Sequence, residues 1–158
     1  MIIFNFSVLA RPAESLPLRQ PDSDGRSIWS MFHEANYGRI CLVVNEDYDK
    51  ALLEEWLKRE GFKPSFYEFI GQDKASLQAE RIHRVSAVFG KARWYVDNDP
   101  AVCAQTLKLG IPTLLVATPY IIPPEWAGDK TIKSWDTLVD EVNRQQLLQA
   151  TKAWRDEI

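Results

Sequence analysis

Short, apolar, β-rich segments recur five times along this chain, and each gives way to a stretch with helical spacing. The apolar segments are Ile2 to Leu9, Ile40 to Val44, Phe66 to Ile70, Arg93 to Val96 and Thr113 to Ala117. Between and after them, helices are predicted from Ser27 to Tyr37, Tyr48 to Glu60, Lys74 to Val88, Pro100 to Leu109 and Ser134 to Ile158, with Gly38, Gly61 and Gly110 as stop signals. Strands that alternate with helices need crossover connections, so the sheet is parallel and is covered on both faces. The expected fold is therefore a Rossmann-like three-layer α/β/α sandwich with a mainly parallel sheet. At 158 residues it fits one domain with a core that needs no disulfide or metal.

The first crossover is the least regular. Arg11 to Gly25 holds three prolines and reads as an extended surface loop, with Ser27 as the cap of the helix that follows. In that helix Ile28, Trp29, Met31 and Phe32 are the expected inward residues, and in the next Leu52, Leu53, Trp56 and Leu57. The stretch from Ser7 to Ile40 is too small for an independent cap domain.

Charge and residue usage narrow the function classes. The net charge is −3 and there is no Lys/Arg run, so a nucleic-acid partner is not expected. The opening Met1-Ile-Ile-Phe-Asn-Phe run lacks the charged lead of a signal peptide, and no apolar stretch reaches the ~20 residues of a membrane span. Cys41 and Cys103 lie in apolar surroundings with no ligand-spaced neighbour, which reads as two buried free thiols in a cytoplasmic protein. His33 and His83 fall on separate helices and read as structural or surface residues. A Gly-rich phosphate loop, a zinc pattern and a Gly-x-Ser-x-Gly elbow are all absent from the sequence.

One turn carries chemistry. Trp94-Tyr-Val-Asp-Asn-Asp-Pro100 takes an apolar strand directly into two carboxylates, Asp97 and Asp99. Ligand sites of parallel sheets lie at the carboxyl ends of the strands, and two acids at this spacing suit a Mg²⁺ ion bound through oxygen. Asp99 has a second reading: Asp before Pro at a helix start is a common N-cap.

The order of strand, Asp97-Asn-Asp-Pro100, helix, Gly110-Ile-Pro-Thr113 and strand, with Ala117-Thr-Pro119 beyond, resembles the last motif region of the haloacid dehalogenase-like (HAD) superfamily. The resemblance extends over most of residues 1–119. It implies a phosphate-neutralising lysine at Lys74, with Lys91 the weaker rival, and a phosphate hydrogen-bonding residue at Asn45. It further implies Mg²⁺ held by Asp97 and Asp99. The resemblance also calls for an Asp-x-Asp pair after the first strand, one acid attacking phosphorus and the other protonating the leaving group. Asn5 and Ser7 occupy those two positions. An amide is no carboxylate nucleophile and a poor cation ligand, and a serine hydroxyl is a weak proton donor near neutral pH.

The remaining segment, Tyr120-Ile-Ile-Pro-Pro-Glu-Trp126 and the terminal helix, either packs on the domain or meets a protein partner. With Ser134-Trp-Asp136, its Pro-Pro-x-Trp pattern also looks similar to small HAD-like proteins of tailed bacteriophages. Three functions are therefore expected in order. The first is a degenerate, non-catalytic HAD-like protein binding a phosphate-type ligand or a protein. The second is a Mg²⁺-dependent phosphatase or phosphotransferase with an altered site. The third is a virion or assembly scaffold.

Overall fold

The strand–helix alternation folds into five parallel strands in the spatial order 3-2-1-4-5. The computed structural model describes residues 1–11, 15–117 and 135–156. Its strands are β1 (Ile2–Asn5), β2 (Ile40–Val44), β3 (Phe66–Phe69), β4 (Trp94–Asp97) and β5 (Thr113–Leu115). The helices are α1 (Ser23–Ala35), α2 (Lys50–Glu60), α3 (Ala75–Phe89), α4 (Pro100–Lys108) and α5 (Trp135–Asp156). This is the expected Rossmann-like α/β sandwich. The 120–126 segment lies outside the described residues. No helix among those described is long and apolar enough to cross a membrane.

The pleat sorts the core into two layers, because successive side chains leave a strand on opposite faces. Ile2, Phe4, Ile40, Leu42, Val44 and Val96 join Trp29 of α1 and Leu53 and Trp56 of α2 on one face. Ile3, Cys41, Val43 and Tyr95 join Ile82 of α3 and Val102 of α4 on the other. The central strand β1 and its neighbour β2 are fully buried, as strands covered on two sides must be. Cys41 and Cys103 are free and buried, and burial pushes the Cys41 thiol up to about 12, out of reach of thiolate chemistry at neutral pH.

Several local expectations are corrected. β1 stops at Asn5, because the Asn5 side chain accepts the Ser7 N–H and turns the chain into a short 3-10 segment over Phe6–Val8. Helix α1 begins at Ser23, capped by Asp22, whose carboxylate accepts the Gly25 N–H at 2.8 Å. Ser27 lies inside that helix and donates to the Ser23 carbonyl. Met31 is 57% exposed and Leu52 42% exposed. Each sits off the inward stripe, which runs through Trp29 in α1 and through Leu53, Trp56 and Leu57 in α2.

The first crossover is anchored instead of loose. Buried Arg19 donates through Nε to the Arg11 carbonyl at 2.6 Å and pairs with Glu46 at 2.9 Å. Its own carbonyl accepts the Trp56 indole N–H at 2.8 Å. Burial lowers the Arg19 pKa while Glu46 opposes the shift, so the pairing is what makes a buried guanidinium tolerable here.

Gly25 shows how tightly this crossover is set. A Cβ there would stand 1.9 Å from the Val8 carbonyl oxygen, a backbone atom that cannot step aside. Gly25→Ala is expected to lower stability by about 1–3 kcal/mol through overpacking. Alanine's better helix propensity, roughly 1 kcal/mol, works in the opposite direction. Urea denaturation of the two proteins measures the difference.

Candidate functional site

The strand order reverses direction between β1 and β4, so their carboxyl ends form the topological switch point, the place where open α/β sheets bind ligands. Phe4 pairs with Val96 across this seam, which leaves Asn5 and Asp97 side by side at its end. Asn5 has the same parity as Ile3, and Asp97 the same parity as Tyr95. All four therefore project toward the α3/α4 layer.

Asn5, Tyr95 and Asp97 are each 0% exposed. The Asn5 Oδ1 accepts the Ser7 N–H at 3.0 Å, so the other end of the amide must be the donor. That Nδ2 donates to the Tyr95 hydroxyl at 3.1 Å and to Asp97 Oδ2 at 3.3 Å. Tyr95 in turn donates its hydroxyl to the same carboxylate oxygen. Asp97 Oδ1 accepts the backbone N–H of Asn98 at 2.7 Å and of Asp99 at 3.0 Å. A carboxylate offers about four lone-pair sites, and here each has a protein donor.

The rim above is closed by a reciprocal pair. Ser7 Oγ donates to Asn98 Oδ1 at 2.7 Å, and Asn98 Nδ2 donates to the Ser7 carbonyl at 3.1 Å. The hydroxyl also stands 3.3 Å from Asp97 Oδ1, but its single proton goes to the nearer acceptor. From α5, Gln146 Nε2 donates to the Asn98 carbonyl at 2.9 Å, tying the long terminal helix to this turn.

The other candidates are placed as follows. Asp99 caps α4 through the Ala101 N–H at 2.9 Å. Asn45, half-buried, follows β2 on the same sheet edge, and Lys74 is the exposed N-cap of α3. Among the described residues no hydrogen bond joins either to the cluster. Lys91 precedes β4 and lies at the amino end of the sheet, away from the site. Tyr95 and Asn98 are central to the network and were not predicted from the sequence. The signal for Tyr95 was its position two residues before Asp97 on a strand, hence on the same face.

The donor set does not fit Mg²⁺. Octahedral oxygen coordination needs free carboxylate or carbonyl oxygens. Both Asp97 oxygens are taken, Asp99 Oδ1 caps its helix, and Asn5 turns its N–H end, a donor, toward Asp97. Among the described residues no group of three or more His, Cys, Asp or Glu side chains is placed to hold a metal.

Electrostatics follow from the burial. Removal from water pushes the Asp97 carboxyl up to about 7, and the hydrogen bond from Tyr95 offsets only part of this. Burial, with Asp97 adjacent, also raises the Tyr95 hydroxyl well above its ordinary value, so it stays a donor. Between about pH 4 and about pH 7 the unfolded chain has released the Asp97 proton while the folded chain still holds it. The folded state then binds more protons, and stability falls as pH rises through that window. Asp97→Asn is expected to flatten this contribution. It should also cost about 1–3 kcal/mol near neutral pH, because an amide N–H then faces existing donors. Denaturation midpoints across the pH range test both effects.

No protein-family model matches the chain, and no curated protein matches it. Among solved structures, a chain of the Pnkp1/Rnl/Hen1 RNA repair complex shares the fold with a TM-score of 0.60. The match covers 73% of this chain and 41% of that one at 10% identity, a likeness of fold alone.

Proposed function

We propose that this chain is a degenerate HAD-like domain that has lost phosphoryl transfer and acts as a binding module at the carboxyl edge of its sheet. One observation carries the reading. At the end of the first strand, where a nucleophilic acid would be required, stands Asn5, fully buried and engaged through both ends of its amide. Neither end has a lone pair basic enough to attack phosphorus. Ser7 is held by Asn98 and is no substitute acid.

What the edge retains suits recognition better than reaction. Lys74 carries its charge at the amino terminus of α3, a helix end that favours anions. Asn45 stands on the same edge with an amide that can donate. A phosphate-type anion bound there meets no nucleophile. We place this binding in the cytoplasm, on the strength of two thiols kept free and buried.

The reading predicts no Mg²⁺-dependent hydrolysis of an aryl phosphate above background, and no change on Asp97→Asn. Turnover that disappears with Asp97→Asn would establish the working-phosphatase alternative instead. Inorganic phosphate is expected to raise the melting temperature of the native chain and to lose that effect in Lys74→Ala.

A further inference from the structure

We propose that the amino edge of the sheet, opposite the candidate site, binds single-stranded nucleic acid, with Tyr37 stacking on a base and Arg39 and Arg93 meeting the phosphate backbone. This surface is separate from the carboxyl edge, and it stands or falls independently of the function proposed there.

The charge comes from positions far apart in the chain, which is why the net charge and the absence of a Lys/Arg run argue against nucleic acid and miss this edge. The connections entering β2, β3, β4 and β5 are residues 36–39, 61–65, 90–93 and 109–112. They contain Arg39, Lys63, Lys91 and Arg93 and not one Asp or Glu. Acids gather at the other end of the sheet, with Glu46, Asp47 and Asp49 after β2 and Asp73 after β3. A strand of five residues separates the two edges by about 17 Å, roughly twice the Debye length of about 8 Å at physiological salt, so the far acids are screened from this surface. Arg39, Lys63, Lys91 and Arg93 are all exposed, and among the described residues none of their side chains forms an ion pair or a hydrogen bond. Arg19, Arg26, Arg59 and Arg81, by contrast, each pair with an acid. Glu34 and Glu60 lie in the last turns of the adjoining α1 and α2, and Glu60 is already held by Arg26 and Arg59.

The sheet register spaces two of the cations. The Ile2 N–H donates to the Arg39 carbonyl at 3.2 Å and the Arg93 N–H to the Met1 carbonyl at 2.8 Å, so the two arginines flank the start of β1. With neighbouring strands about 4.8 Å apart they stand roughly 10 Å from each other, within reach of one extended oligonucleotide. Tyr37 identifies the class of ligand. It is 93% exposed and sits at φ 55°, the one non-glycine residue among those described in the left-handed region. A bulky side chain is strained there, and among the described residues its ring and hydroxyl make no ring contact or hydrogen bond to offset the strain. Helix dipoles account for cations near helix carboxyl termini, but not for this ring. Trp94, directly after Arg93, adds a second aromatic surface at 39% exposure. Aromatic faces interleaved with cations hold single strands by stacking on bases and pairing with phosphates. A lipid surface or an acidic peptide would use the charge and have no need of the strained ring.

The test is fluorescence anisotropy of labelled oligo(dT) titrated with the full chain over a range of NaCl, beside melting temperatures of each protein. Native protein is expected to bind the single strand more tightly than a duplex of equal length, and to bind it less tightly as salt rises. Arg39→Gln combined with Arg93→Gln should weaken binding and flatten the slope of log affinity against log salt by roughly 0.7 per cation removed. Tyr37→Gly should weaken binding by about fivefold or more while melting at or above the native temperature, because glycine suits that backbone. A merely structural tyrosine would not give that combination. Lys50→Gln makes the same charge change at the opposite edge and should leave binding as it is. Absence of binding overturns the proposal, as does equal affinity for the duplex or native affinity in Tyr37→Gly. Polyglutamate or phosphatidylserine vesicles that displace oligo(dT) equally from native protein and Tyr37→Gly identify a general anion surface, and overturn it as well.

Discussion

A carboxylate removed from water at the end of a central strand is the constraint that organises the carboxyl edge of this molecule. Asp97 is buried, and an unpaired ionised acid in that position would cost several kcal/mol. The fold meets the cost with donors drawn from three places: the backbone of the turn, the strand's own Tyr95, and the amide of Asn5 on the next strand. Each supplier is fixed by something else. The turn is fixed by the Asp99 cap and Pro100, Tyr95 by the pleat, and Asn5 by the 3-10 segment that it caps. Any change at this seam is therefore felt in two strands and a helix start at once.

The architecture was legible because its determinants are local and periodic. The stretch Ile40–Val44 is apolar without interruption, as a doubly covered strand must be, and Gly61 ends α2 in the left-handed conformation at φ 79°. Errors arose where a side chain overrode the pattern. β1 continues as an apolar run in sequence, yet Asn5 bends it after four residues. Asp22 won the cap of α1 over Ser27 because Gly25 lets the helix start press against the Val8 backbone, a long-range contact that spacing does not reveal.

The site was legible by position and not by wiring. The sequence placed Asn5, Ser7 and Asp97 at strand ends, and the parallel register brings them together. It left Asp99 open between ligand and cap, and Asp99 Oδ1 accepts the Ala101 N–H as a cap does. Asn98 carries no local signature of its role, because its partnership with Ser7 spans 91 positions. Gln146 is similarly silent in sequence, reaching the Asn98 carbonyl from 48 positions away.

The strand order has a consequence for how the chain reaches this state. β1 lies at the centre of the sheet, yet the groups that meet at its end, Asn5 and Asp97, are 92 positions apart. Pairing with β2 comes sooner in synthesis, leaving the opposite edge of β1 open until β4 emerges. Closing so long a loop carries an entropic cost before any contact rewards it, which slows folding. Until then β1 presents unpaired N–H and C=O groups along one side, the geometry that invites pairing with another chain. The polar cluster at the strand's end counters this in one respect. A one-residue slip of β1 turns Asn5 toward the aromatic layer and away from Asp97, so a misregistered partner gains apolar contact only by stranding a buried amide. The seam thus doubles as a register check on the longest-range pairing in the sheet.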